Sequence, residues 1–169
     1  MSGFRQFLKS LLAGLFLFVF SPKFVQAEPG EVLFTLVGPH SEDSDVIRVD
    51  ITRQALMALP QSRFETTTIW TQGPQRFEGV WLADLMQSYD VTDGILQLKA
   101  INDYLVEIPM NEVAKGRALL AHSRNGTPMH AREKGPVWVV YNYDSDPAFR
   151  TETIYSRSVW QLDQIMISR

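Results

Sequence analysis

Short runs of β-prone residues, most of them closed by glycine, proline or asparagine, follow one another from Val32 to Ile167 and leave room only for brief helices. Val32–Val37, ended by Gly38-Pro39, and Val46–Asp50 read as strands around a polar loop at His40–Asp45. Thr52 is placed to cap a helix that runs through Leu59 and stops at Pro60. Phe64–Trp70 predicts a strand turning at Gly73-Pro74, and Gly79–Trp81 a brief extended piece. Leu82, Leu85, Met86 and Tyr89 share one face of a helix over 82–89. Ile95–Ile101 and Tyr104–Ile108 predict two strands joined at Asn102-Asp103, the second directing Tyr104, Val106 and Ile108 to one side. Asn111 fits the cap of a short helical turn, and Asn125-Gly126 is a hairpin turn after the apolar segment Ala118–Ala121. Val137–Tyr141 predicts a strand buried on both faces, Tyr143–Thr153 a polar loop, and Val159–Ile167 a closing strand. The expected fold class is α+β: one domain built on mixed β-sheet with short flanking helices.

The N-terminus has a different character. Arg5 and Lys9 precede the apolar run Leu11–Phe20, and Val25-Gln26-Ala27 ends in the small-residue pattern of a cleavage site. A membrane span needs about 20 apolar residues, twice this run, so a secretory signal fits better than an uncleaved anchor. The expected organisation is therefore a signal peptide over 1–27, cleaved after Ala27, and a single exported domain over 28–169 working in the periplasm. The chain contains no cysteine, which excludes disulfides, thiolate metal sites and cysteine nucleophiles. Arg5, Lys9 and Lys23 fall in the leader, which takes the 16 basic residues to 13 against 19 acidic, a net charge of −6. An acidic domain of this kind lacks the basic footprint of a nucleic-acid partner. The histidines His40, His122 and His130 show no metal-ligand spacing, and Ser123 has no nucleophile elbow around it.

Several segments taken in order resemble a known family. Trp70-Thr71-Gln72-Gly73, Phe77-Glu78-Gly79-Val80 and Leu82-Ala83-Asp84-Leu85 are followed by Asn102-Asp103-Tyr104, Asn125-Gly126-Thr127-Pro128-Met129, Lys134-Gly135-Pro136-Val137-Trp138 and Trp160-Gln161-Leu162. Together they are similar to the oxidoreductase molybdopterin-binding domain, the fold of sulfite oxidase and its bacterial relatives, over roughly Val32–Ser168. The catalytic members bind molybdenum through a cysteine; here the corresponding strand reads Glu65-Thr66-Thr67-Thr68-Ile69. A threonine hydroxyl is a hard, weakly acidic ligand and a poor substitute for a soft thiolate. The arginine of the late buried strand is replaced by Trp138. The chain looks more like small exported, cysteine-free members. The resemblance implies binding of a reduced pterin, no thiolate-bound molybdenum, and a partner in the periplasmic part of a membrane-bound diguanylate cyclase or phosphodiesterase of cyclic-di-GMP metabolism.

A pterin needs an aromatic face for stacking and a carboxylate or amide for its donor–acceptor edge. Trp70, at a strand end beside a turn, suits the first role, and equally suits capping the core. Asn102 and Asp103 supply the polar groups, and Asn-Asp also makes a good turn because both residues tolerate left-handed backbone. Tyr104 adjoins them; like Trp138 and Tyr141 it fits the core as well. Arg132 and Lys134 lie in a loop before the buried strand, where they could hold a phosphate tail or a ring carbonyl, or simply be solvated. The reading adopted is a pterin-binding regulatory module. The alternatives are a molybdopterin-dependent oxidoreductase with oxygen or open coordination, and an assembly subunit without ligand.

Overall fold

The computed structural model describes residues 30–40 and 45–168. The expected signal peptide lies outside the described residues, as do residues 41–44 of the expected loop. Among the described residues the chain forms ten strands and three short α-helices, an α+β fold made mostly of sheet. One five-stranded sheet has the order β2-β1-β10-β5-β6, built from β1 (Val32–His40), β2 (Asp45–Thr52), β5 (Ile95–Ala100), β6 (Leu105–Pro109) and β10 (Leu162–Ser168). Only β1 and β10 run parallel; the other neighbours are antiparallel. In the second sheet β3 (Ser62–Thr66), β4 (Gln75–Trp81) and β7 (Leu119–Arg124) pair in turn. The far edge of β7 is shared by β9 (Trp138–Val140) and the two-residue β8 (Thr127–Pro128).

The alternation of the sequence fixes which way each strand faces. In β5, Leu96, Leu98 and Ala100 are buried, whereas Ile95, Gln97 and Lys99 are not. β9 is buried along its length, as its unbroken apolar run requires. Leu56 of α1 (Arg53–Ala58), Leu82, Leu85 and Met86 of α2 (Leu82–Ser88) and Ile154 of α3 (Glu152–Ser156) join the strands in one apolar core. Thr52 caps α1 by accepting a hydrogen bond from the Ala55 amide, 3.1 Å away. Asn125 and Gly126 both take positive φ, 53° and 81°, as a two-residue hairpin turn demands.

Several boundaries differ from the sequence reading; β4, for one, begins at Gln75, four residues before the expected Gly79. β1 continues through Gly38 and Pro39, which pair with Ile47 and Val46. β3 ends at Thr66 rather than Trp70. The Thr67 amide and hydroxyl both donate to the Asp144 carboxylate, and the Trp70 amide donates to the Thr68 hydroxyl, so side chains take the bonds a ladder would use. β10 begins at Leu162, because Gln161 turns left-handed at φ 54°. The expected polar loop ends in α3, capped by Thr151, and buries Tyr143 at its start.

Candidate functional site

One end of the first sheet opens into a cleft of about 300 Å³. Three pieces of chain bring their residues to it. The tip of the β5–β6 hairpin contributes Ala100, Asn102 and Tyr104; the segment after β3 contributes Trp70; the end of α3 and the turn after it contribute Tyr155, Ser156, Ser158, Val159 and Trp160. The walls are thus aromatic and the polar groups few, the usual make-up of a site for a small planar molecule.

Trp70 is held on four sides. Its ring meets Trp160, Trp138, Tyr155 and Tyr143 edge-on, with centroids 5.7, 5.8, 5.8 and 6.2 Å apart. Each such pair contributes about 0.5–1.5 kcal/mol beyond area burial, so the indole is anchored before any ligand arrives. Core cap and cleft wall are one and the same role here. The loop bearing Trp70 is tied at its root by Asp144, which accepts from Thr67 and from Arg150 at 2.7 Å. The Thr67 amide, then its hydroxyl, then Arg150 hold the Asp144 carboxyl below its ordinary value.

The hairpin tip crosses to the opposite wall. The Tyr104 hydroxyl donates to the Ser156 carbonyl at 2.9 Å, and the Ile101 amide to the Gln161 carbonyl at 3.0 Å. Tyr104 is nevertheless 45% exposed, so part of its ring remains open to a ligand. The Asn102 carboxamide oxygen accepts only a long bond, 3.4 Å, from the Tyr104 amide. Ser158 is different: its hydroxyl donates to the Ile154 carbonyl and meets the Tyr143 hydroxyl at 2.6 Å. Burial pushes the Tyr143 phenol well up, keeping it neutral.

Of the six residues expected from the sequence, the cleft brings together Trp70, Asn102 and Tyr104. Asp103 takes the turn role: at φ 65° its 80%-exposed carboxylate pairs with Lys99 at 2.7 Å, which lowers its pKa. Arg132 lies exposed on a 3₁₀ turn, Ala131–Glu133. Lys134 is half-buried, its ammonium 3.9 Å from the Trp160 ring centre and 5.3 Å from that of Trp138. Tyr155, Ser156, Ser158 and Trp160 were not singled out as site residues. The Trp160-Gln161-Leu162 segment was the one sequence signal that pointed near them.

Along Thr66-Thr67-Thr68 the threonines are already engaged. Thr66 accepts from the Asp144 amide, Thr67 donates to the Asp144 carboxylate, and Thr68 meets the Thr71 hydroxyl at 2.8 Å. This donor set does not fit a soft molybdenum centre. Compared with known proteins, the chain matches no protein-family model and no curated protein.

Proposed function

We propose that this chain is an exported binding module for a reduced pterin, and that ligand occupancy regulates a membrane-bound enzyme of cyclic-di-GMP metabolism. The observation that carries the ligand class is the cleft itself. Trp70, Tyr104, Tyr155 and Trp160 offer aromatic surface around a space of about 300 Å³, with the Asn102 carboxamide at its edge. That is the small end of ligand cavities, suited to a bicyclic ring rather than to a dinucleotide-sized cofactor. An amide presents both donor and acceptor, the pattern on the pterin edge. The threonine donors give no support to a redox reading, and no step through molybdenum is part of the proposal.

The regulatory half rests on the resemblance to small exported members of the molybdopterin-binding family. Export, an acidic surface and a ligand cleft together suit a soluble sensor that reports to a membrane partner. The mechanism is differential affinity: ligand orders the hairpin tip and the Trp70 loop, and the ordered form binds the partner differently. Mass spectrometry of the small molecule that copurifies with the protein from periplasm tests the ligand class. A pterin released in near-stoichiometric amount is the expected result. Recovery of protein with a non-pterin ligand in the cleft would remove the reading.

A further inference from the structure

From Tyr155 to Trp160 every residue lines the cleft except Arg157. Its side chain is only 12% exposed and is spent on a different contact. Nε donates to the Glu107 carbonyl at 3.1 Å, and Nη1 and Nη2 donate to the two Glu112 carboxylate oxygens at 2.7 and 3.4 Å. Glu107 belongs to β6, and Glu112 to the 3₁₀ turn that follows it, Met110–Glu112. Three bonds from one planar group fix orientation as well as distance, which the point charge of a lysine does not. The same fork holds the Glu112 carboxyl below its ordinary value.

Where these bonds fall matters more than their strength. β6 is the last strand of its sheet, and among the described residues only β5 pairs with it. Its outer edge therefore has no ladder to hold it, and Arg157 takes one of the free carbonyls there. The β5–β6 hairpin carries Asn102 and Tyr104 to one wall of the cleft; the end of α3 and Trp160 make the other. At the tip the walls are joined by the Tyr104 hydroxyl on the Ser156 carbonyl and by the Ile101 amide on the Gln161 carbonyl. Both Tyr104 and Ile101 are exposed, so these two bonds open readily on their own. Arg157, next in the chain to Ser156, joins the same two walls lower on the hairpin, out of solvent.

We propose that Arg157 is a positioning residue for the cleft: gripping the edge of β6 from the end of α3, it sets the separation between the Asn102–Tyr104 wall and the Tyr155–Trp160 wall. Its effect on ligand affinity rests on the pterin reading above; its grip on the hairpin does not. The test has two arms, each run on the wild type, Arg157→Gln and Arg157→Lys. In the first, without ligand, amide hydrogen exchange is followed by NMR at Ile101, whose bond joins the walls, and at Leu82, whose amide donates to the Ala118 carbonyl outside the cleft. Loss of the charge-assisted bonds in Arg157→Gln should speed exchange at Ile101 at least about tenfold beyond any change at Leu82, with Arg157→Lys in between. Equal acceleration at both amides, the mark of a purely structural residue, or none at Ile101, would overturn the proposal. In the second arm dihydropterin is titrated. Arg157→Gln should bind it about two- to 30-fold more weakly, and Arg157→Lys should recover part of the loss. Wild-type affinity in Arg157→Gln would also overturn the proposal. A wild type that does not bind dihydropterin would refute the pterin reading instead, and exchange at Ile101 would then decide the grip alone. Should Arg157→Gln fail to fold, Glu112→Gln, which loosens the fork from its more exposed partner, is read in its place against the same outcomes.

Discussion

Trp70 touches four aromatic rings and also lines the cleft, so its substitution has two separable consequences. Trp70→Ala should lower stability by about 2–4 kcal/mol in denaturant unfolding, through lost burial and ring contacts. Trp70→Phe should recover most of that stability and only part of the ligand stacking, a split visible when melting and binding are measured on the same samples. Asn102 and Asp103 are neighbours with opposite expectations. Asn102→Ala removes a cleft amide and should weaken pterin binding by about 1 kcal/mol, some fivefold. Asp103→Ala removes an exposed carboxylate engaged with Lys99 and should leave affinity within about twofold. Titration of both variants checks the contrast; an Asp103→Ala loss larger than that of Asn102→Ala would mean that the carboxylate reaches the ligand after all.

At the level of elements, much of the sheet was legible. Alternation in β5 and the unbroken apolar run of β9 each permit one placement, and Asn125-Gly126 permits one turn. What could not be read is where strands stop for tertiary reasons. Nothing in Thr66-Thr67-Thr68 announces that Asp144, far along the chain, will take the hydrogen bonds of Thr67. Likewise α3 has a single buried residue, Ile154, too little for a periodic signal, so Tyr155 and Ser156 fell between the expected polar loop and the expected closing strand. The Asp144 tie is open to test. Its folded-state pKa is depressed, so its contribution is complete above the unfolded carboxylate range and is lost as pH falls through the folded value. Asp144→Ala should cost about 1 kcal/mol at neutral pH, and the gap to the wild type should close on acidification. A gap that is constant from neutral to strongly acid pH would show that the carboxylate charge is not what ties the loop.

The whole molecule joins two sheets through one core and gathers its cleft from three separated segments, the hairpin tip, the Trp70 loop and the end of α3. A ligand bridging those segments would stabilise their mutual placement, and that is how occupancy could be read by a partner. Linkage sets the terms: if pterin tightens the complex with the periplasmic partner domain by some factor, typically about 5- to 150-fold, the partner tightens pterin binding by the same factor. Matched titrations should give equal factors; a complex whose affinity ignores pterin would end the regulatory proposal while leaving the binding site intact. The cleft as a pterin site is the claim on which the rest depends, and titrating a reduced pterin into the wild type and Asn102→Ala, with ligand fluorescence as the readout, tests it most directly. The expected result is saturable one-to-one binding to the wild type, weakened about fivefold in Asn102→Ala. No saturable binding to the well-folded wild type, or binding that Asn102→Ala leaves untouched, would contradict it.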